Sequence, residues 1–354
     1  MPIPFQIRHA QLLFHTTRKN NTYFCNNSYS FSKLQQTHDR NDLKFVHGKK
    51  LLKDLSTWGI GGPCKHFIQV FDQTQLASAI RYCHENSIRF IIIGKGSNCL
   101  FDDLGFDGCV ILNRIDFLER KEHGVFRVGS GFRFNKLGKQ CSNEGFAGLE
   151  FAGGIPGTVG GAIFMNAGAN GQETADAVES VEIVTKDGKF QRLERADLSF
   201  GYRLTPFQTM QELAAIVAVT FQLQRSESSK MRQLEYLERR RKSQPISERT
   251  AGSVFQNPPY LGVAAAKLIE EAGLKGFRVG GAMVSEIHAN FFINSGGSTS
   301  QDMLTLIAVV KEKVDRKFGV QLKEEVLHIS PYCNDVKPNK DVTFEGRKID
   351  THCL

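Results

Sequence analysis

The sequence predicts an α+β protein of two domains, and three observations carry that expectation. The chain has 354 residues, more than one typical domain, with 41% hydrophobic and 23% charged residues, enough for a sizeable core. From about Leu51, strand and helix patterns come in mixed order, β then α then β. A strongly polar stretch at 225–243, "RSESSKMRQLEYLERRRKS", then precedes a second amphipathic part.

Each element has its own signal. "HFIQVF" (66–71) reads as a strand, and "TQLASAIRYCHENS" (74–87) sets Leu76, Ala79, Ile80 and Cys83 at helical spacing. "RFIII" (89–93) is a β-branched strand that stops at Gly94, and "GCVILN" (108–113) and "GVFRVGSG" (124–131) are further strands. "RFNKLGKQCSNEG" (133–145) is a helix ended by Gly145. "SVEIVTK" (180–186) and "AIVAVTFQL" (215–223) close the first domain, 49–224. The polar stretch reads as an exposed linker helix, its arginine run a solvated face. In the second domain, 244–331, "VAAAKLIEEAGL" (263–274) is an amphipathic helix ending at Gly276. "ANFFIN" (289–294) is a strand, "SQDMLTLIAVVKEKVDRKFG" (300–319) a long helix stopped by Gly319, and the tail 332–354 reads as loosely structured.

Charge and cysteine usage narrow the function. The net charge is +8, but residues 1–50 hold eight Lys/Arg against two acids, which places +6 of it there. The body of the chain has no basic face interleaved with stacking aromatics, so nucleic acid is not an expected partner. Residues 1–48 are poor in acids and rich in Ser, Thr, Asn and Gln. That composition predicts a targeting segment, for plastid or mitochondrion, with a disordered cytoplasmic tail as the alternative. No run of about eighteen apolar residues predicts a membrane span. Eight cysteines form no C-x-x-C pair, which predicts reduced thiols and no metal.

Three glycine clusters raise the question of a ligand: "WGIGG" (58–62), "GKGSN" (94–98) and "FAGGIPGTVGGAIFMNAGA" (151–169). The third is too Gly-rich for an ordinary helix and too apolar for an ordinary surface loop. In the second, successive N–H groups of Gly94, Lys95, Gly96, Ser97 and Asn98 can form a concavity for an anion such as a pyrophosphate. In the third, Gly153, Gly154, Pro156, Gly157, Gly160, Gly161 and Ala162 strip side chains from one edge, leaving room for a flat ring or a diphosphate. Tight backbone packing is the competing reading of both. Cys99 stands where a third glycine would complete a dinucleotide fingerprint, so this is not a Rossmann motif.

Taken together, "GKGSN" and "GLEFAGGIPGTVGGAIFMNAGA" resemble the flavin-binding domain of the UDP-N-acetylenolpyruvoylglucosamine reductases (UDP-N-acetylmuramate dehydrogenases). "LSFGYRLTPF" (198–207), "RRKSQPISERTAGSVFQNP" (240–258), "AAAKLIEEAGLKGFRVGGAMVSEIHANFFIN" (264–294) and "FGVQLKEEV" (318–326) match that family in order and spacing, over roughly residues 50–331. The spacing is similar to the branch that lacks an extra tyrosine-bearing loop. The resemblance implies an FAD-binding PCMH-type domain of two subdomains, followed by a smaller α+β substrate-binding domain. It implies FAD and NADPH as cofactors and a small-molecule UDP-sugar as substrate. In the implied reaction NADPH reduces FAD, and the reduced flavin delivers hydride to C3 of an enolpyruvyl ether.

Three residues carry that chemistry by resemblance. Arg203, in "FGYR", matches the arginine that stabilises charge developing on the substrate carboxylate, a task suited to a permanently charged fork. Ser253, in "AGSVF", matches the proton donor to C2. Glu325, in "LKEEV", matches the third active-site residue; strand alternation allows only one of Glu324 and Glu325 to face the flavin. Tyr202, Gln256, Asn257 and His288 are candidate substrate contacts, His288 with a structural role as the competing reading. Lys323, Gln256 and Ile287 depart from the family's usual Glu, basic residue and Lys at those places. An FAD-linked oxidase or dehydrogenase of a sugar or hydroxy acid, and a flavoprotein without the ancestral activity, are the alternative functions.

Overall fold

A computed structural model describes residues 43–186 and 188–332. The chain opens with Val46–His47 (β1), Cys64–Val70 (β2), helix Gln73–Glu85 (α1), Phe90–Ile93 (β3), Cys99–Phe101 (β4) and Phe106–Asn113 (β5). Four of these strands form one sheet in the order β1-β2-β5-β3, with β2/β5 and β3/β5 parallel. Helix α1 starts where the Asp72 side chain accepts from the Gln75 N–H at 2.8 Å, and it buries Leu76, Ala79, Ile80 and Cys83 on the sheet. Leu43 and Phe45 pack against the same cluster and β1 pairs with β2. Residues 43–48 therefore belong to the fold, a correction to the expected leader; the rest of that leader and residues 333–354 lie outside the described residues.

The second sheet is antiparallel throughout. It holds Leu118–Arg120 (β6), Val125–Gly129 (β7), Val178–Thr185 (β8), Phe190–Glu194 (β9) and Leu213–Gln222 (β10), in the order β9-β8-β10-β7-β6. Helices Phe134–Asn143 (α2) and Val159–Phe164 (α3) cover one face, around Phe126, Phe134, Phe151, Val159, Ile163 and Phe221. The stretch expected to avoid helix thus contains a short one. The Thr158 side chain caps it and burial of Val159 and Ile163 outweighs the cost of two glycines, about 1 kcal/mol each.

Helix α4 (Ser229–Ser243) is not solvated all round. Gln233 is buried, and Gln233, Leu237 and Arg240 pack on Gly153 and Gly154. The third sheet pairs Thr250–Ser253 (β11), Arg278–Val279 (β12), Ala282–Val284 (β13) and Phe291–Asn294 (β14) in the order β11-β14-β13-β12. Helices Ala265–Glu271 (α5) and Ser300–Phe318 (α6) cover it. Helix α5 ends earlier than expected because Gly273, at φ 74°, already turns the chain. Gly319 stops α6 as expected, at φ 65°.

Two long-range links join these parts. Leu327–Ile329 (β15) runs parallel to β4, directly after the 94–98 loop. Trp58, with no exposed surface, inserts into the third sheet's core and donates its indole N–H to the Phe292 carbonyl at 2.8 Å. The Asn294 amide returns a hydrogen bond to the Trp58 carbonyl at 2.9 Å.

Candidate active site

The 94–98 loop hangs between β3 and β4, and its shape depends on Gly96. That residue sits at φ 57°, and a Cβ there would run into the Leu55 carbonyl. Among the described residues the amides of Lys95, Gly96, Ser97 and Asn98 find no acceptor. Four free N–H groups in one turn suit a diphosphate. The other glycines divide between two uses. A Cβ at Gly153 or Gly154 would meet α4, one at Gly94 would meet the Thr158 side chain, and one at Gly160 would lie 2.9 Å from Ser130 Cβ. Their bare edge serves packing. Gly161 is exposed, with only Thr158 Oγ1 at 3.7 Å from its missing Cβ, so this side of the cleft keeps room for a ligand, whereas Gly157 is buried and a Cβ there would press on Ser97 Oγ at 3.1 Å. Pro156 lies between, its carbonyl accepting from Ser97 Oγ at 3.4 Å, and Ala162 is buried in the core.

Replacing Gly96 by alanine is expected to cost about 3 kcal/mol, combining left-handed strain with the collision, and to lower Tm by about 5–10 °C. Gly171→Ala is the control: φ is 80° but nothing lies within 4 Å, so only the strain of about 1 kcal/mol remains. Equal losses in thermal melts of the two variants would contradict the packing assigned to the loop.

Arg203 stands at the tip of a tight turn in which Gly201 and Leu204 exchange main-chain hydrogen bonds of 2.9 and 3.0 Å. Its own backbone is left-handed, φ 56°, a conformation that costs a non-glycine residue about 1 kcal/mol and aims the side chain inward. The guanidinium donates through Nε to Glu325 Oε1 at 2.7 Å, through Nη1 to the Asn166 carbonyl at 3.1 Å and through Nη2 to the Gly168 carbonyl at 3.2 Å. Three of its five N–H donors are spoken for, leaving two free to fork onto a ligand carboxylate. Burial pushes the Glu325 carboxyl above the usual carboxylate range, and the adjacent Arg203 guanidinium pulls against that.

The backbone of Glu325 connects the pair to everything else. The Asn98 amide donates to the Glu325 carbonyl at 3.0 Å, tying it to the glycine loop. The Glu325 N–H donates to the Val254 carbonyl at 2.7 Å, one residue after the half-buried Ser253 on β11. Glu324 points the other way and pairs with Lys311 at 2.7 Å, as alternation requires. The structure thus brings Arg203, Glu325, Asn98 and the Ser253 strand to one place.

The candidate substrate contacts are less uniform. The Tyr202 hydroxyl accepts from the Asn257 N–H at 3.2 Å, while Asn257 Oδ1 accepts from the Ala265 N–H at 3.0 Å at the start of α5. Gln256 is anchored by its N–H to the Lys323 carbonyl at 2.9 Å, and Ile287 is exposed. His288 has a structural job: its Nδ1 accepts from the Asn290 N–H at 3.3 Å, its ring packs edge-on against Phe291, and burial holds its pKa below the usual histidine value.

Asn166 was not singled out from the sequence, although it lies in "FMNAGA". It is fully buried and left-handed at φ 43°; it donates to Glu173 and to the Gly201 carbonyl, and accepts from the Ala175 N–H. With its own carbonyl on Arg203, it positions the turn that carries the guanidinium. A polar residue inside an apolar glycine-rich run was the available signal.

The family profile "UDP-N-acetylenolpyruvoylglucosamine reductase, C-terminal domain" matches residues 244–329, and "FAD binding domain" matches residues 64–194. The UDP-N-acetylenolpyruvoylglucosamine reductase of Protochlamydia amoebophila (strain UWE25) is 51% identical over 282 residues, covering 80% of this chain and 93% of that protein. That of Chlamydia abortus (strain DSM 27085 / S26/3) is 46% identical, covering 79% and 93%. The crystal structure of the Thermus caldophilus enzyme superposes with a TM-score of 0.68 at 35% identity, covering 81% of this chain and 99% of that one. The architecture is accordingly an FAD-binding α+β domain followed by the reductase C-terminal domain. With identity of this extent over nearly the full length of its relatives, the chain belongs to the UDP-N-acetylenolpyruvoylglucosamine reductase family.

Proposed function

We propose that the chain reduces the enolpyruvyl ether of UDP-N-acetylenolpyruvoylglucosamine to UDP-N-acetylmuramate, a peptidoglycan precursor, with FAD as bound cofactor and NADPH as reductant. The observation that carries this reading is the Arg203–Glu325 pair at 2.7 Å, fastened through Asn98 to the loop of free amides. FAD, when bound against that loop, supplies the two-electron reduction of the alkene.

The chain's own residues do the rest. The two free N–H groups of Arg203 hold the substrate carboxylate and stabilise the enolate character that builds there. Glu325 fixes the orientation of the fork. Ser253, a weak acid, supplies the proton to C2, where a strongly basic carbon can take it. Tyr202 and Asn257 hold the turn of Arg203 against the β11 segment and shape the substrate side. Incubation with NADPH and the enolpyruvyl UDP-sugar should yield a product two hydrogens heavier by mass spectrometry. Reduction of the flavin by sugars or hydroxy acids alone, with no such product, would overturn the assignment in favour of an oxidase.

The composition of residues 1–48 fits a leader for plastid or mitochondrion alike, and the family's link to peptidoglycan synthesis favours plastid, with mitochondrion or cytoplasm as the alternatives, although the relatives named above are bacterial. A fluorescent fusion to residues 1–48 tests it; uniform cytoplasmic signal would contradict it.

A further inference from the structure

Around the 94–98 loop, the main chain brings together three segments that each carry a cation. Lys95 is the second residue of the 94–98 loop and is half-buried. The main chain of Arg133, an exposed residue, lies next to this loop through Thr158: the two main chains form an antiparallel bridge, and the Thr158 side chain fills the space left by Gly94. Arg114 approaches from the other flank, its Cα 2.9 Å from where Gly131, two residues before Arg133, would carry a Cβ. Phe134 N donates to the Gly157 carbonyl at 3.2 Å and closes the ring of segments. Among the described residues none of the three cations makes an ion pair or a side-chain hydrogen bond. Burial and the neighbouring Arg133 and Arg114 guanidinium groups hold the Lys95 amine below its ordinary value, so the repulsion is uncompensated. A cluster of this kind, set around amides that lack acceptors, favours a compact and doubly charged anion.

We propose that Lys95, Arg114 and Arg133 grip the diphosphate of the flavin dinucleotide from outside the glycine loop, and so set cofactor retention rather than the chemistry. The inference rests on the FAD reading above and deepens it. The amides supply direction at short range, while the side-chain cations supply charge that salt can screen. Flavin retention in this chain is therefore dependent on ionic strength, a property that backbone donors alone would not give.

The test measures FAD dissociation from the purified holoprotein by flavin fluorescence, at KCl from about 50 to about 500 mM. Wild type should hold FAD about tenfold more weakly at the high end. Lys95→Gln should weaken retention about fivefold, and the triple variant K95Q/R114Q/R133Q about a hundredfold, with most of its salt response gone. Riboflavin, which carries the ring without phosphates, should bind all variants equally, and Lys230→Gln on exposed α4 should behave as wild type. A triple variant that retains FAD and its salt response unchanged overturns the proposal, as does an equal loss of riboflavin binding. Wild type that takes up no FAD at all would overturn the cofactor reading itself, a separate outcome.

Discussion

Replacing Arg203 by alanine is expected to lower kcat about a thousandfold, the loss associated with removing a preorganised donor to a developing anion. Lysine at the same position keeps the charge but loses the fork, and an intermediate loss of about 10–100-fold follows. The two side chains are only 13% and 15% exposed, so the alanine variant also leaves Glu325 buried without its partner. The expected destabilisation is about 3 kcal/mol at neutral pH. Its sign with pH is definite. The Glu325 carboxyl already stands above its unfolded value, and without the guanidinium it goes further up. A raised carboxylate pKa means that stability falls as pH rises from the unfolded value to the folded one. The Arg203→Ala variant should therefore lose more Tm between pH 4.5 and pH 8 than wild type does, and adding Glu325→Gln should restore stability but not kcat. Recovery of kcat in the double variant would show that the loss was structural.

Ser253→Ala is expected to reduce turnover about 10²–10⁴-fold, the range of a positioned proton donor. The loss should fall entirely on the half-reaction with the enolpyruvyl substrate. Bleaching of the flavin by NADPH should run at the wild-type rate, because the role proposed for Ser253, proton donation to C2, begins only with the enolpyruvyl substrate. Stability should change by less than about 1 kcal/mol, since the residue is half-buried. Rapid-mixing measurement of the two half-reactions separates these effects; equal slowing of both would remove Ser253 from its assigned role.

Much of the fold was legible because its larger elements are periodic. Helix α1 and helix α6 each show an apolar stripe and a capping residue, and β5 and β10 are long apolar runs with flanking turns. The misses have physical causes. β4 and β15 are three residues each, too short for a period, and exist because they pair with each other across more than two hundred residues. Helix α3 was hidden by its glycines, whose cost is offset by tertiary packing. Helix α4 reads as a solvated linker because the surface it covers, Gly153 and Gly154, has no side chains to announce the contact.

The site divides the same way. Alternation correctly separates Glu325, which faces Arg203, from Glu324, which faces Lys311. Nothing local joins Arg203 to Glu325 across 122 positions; only the resemblance of whole motifs placed both in one site. The glycines of 151–169 read as one ligand cradle, yet the structure assigns several of them to helix and strand packing and leaves the free donors in 94–98.

An anaerobic absorbance titration asks most directly whether one cleft joins flavin, substrate and the Arg203–Glu325 pair. Purified protein should show the spectrum of a bound flavin, bleach on adding NADPH, and recover its colour with one equivalent of the enolpyruvyl UDP-sugar. A flavin that stays bleached in the presence of that substrate would contradict the account.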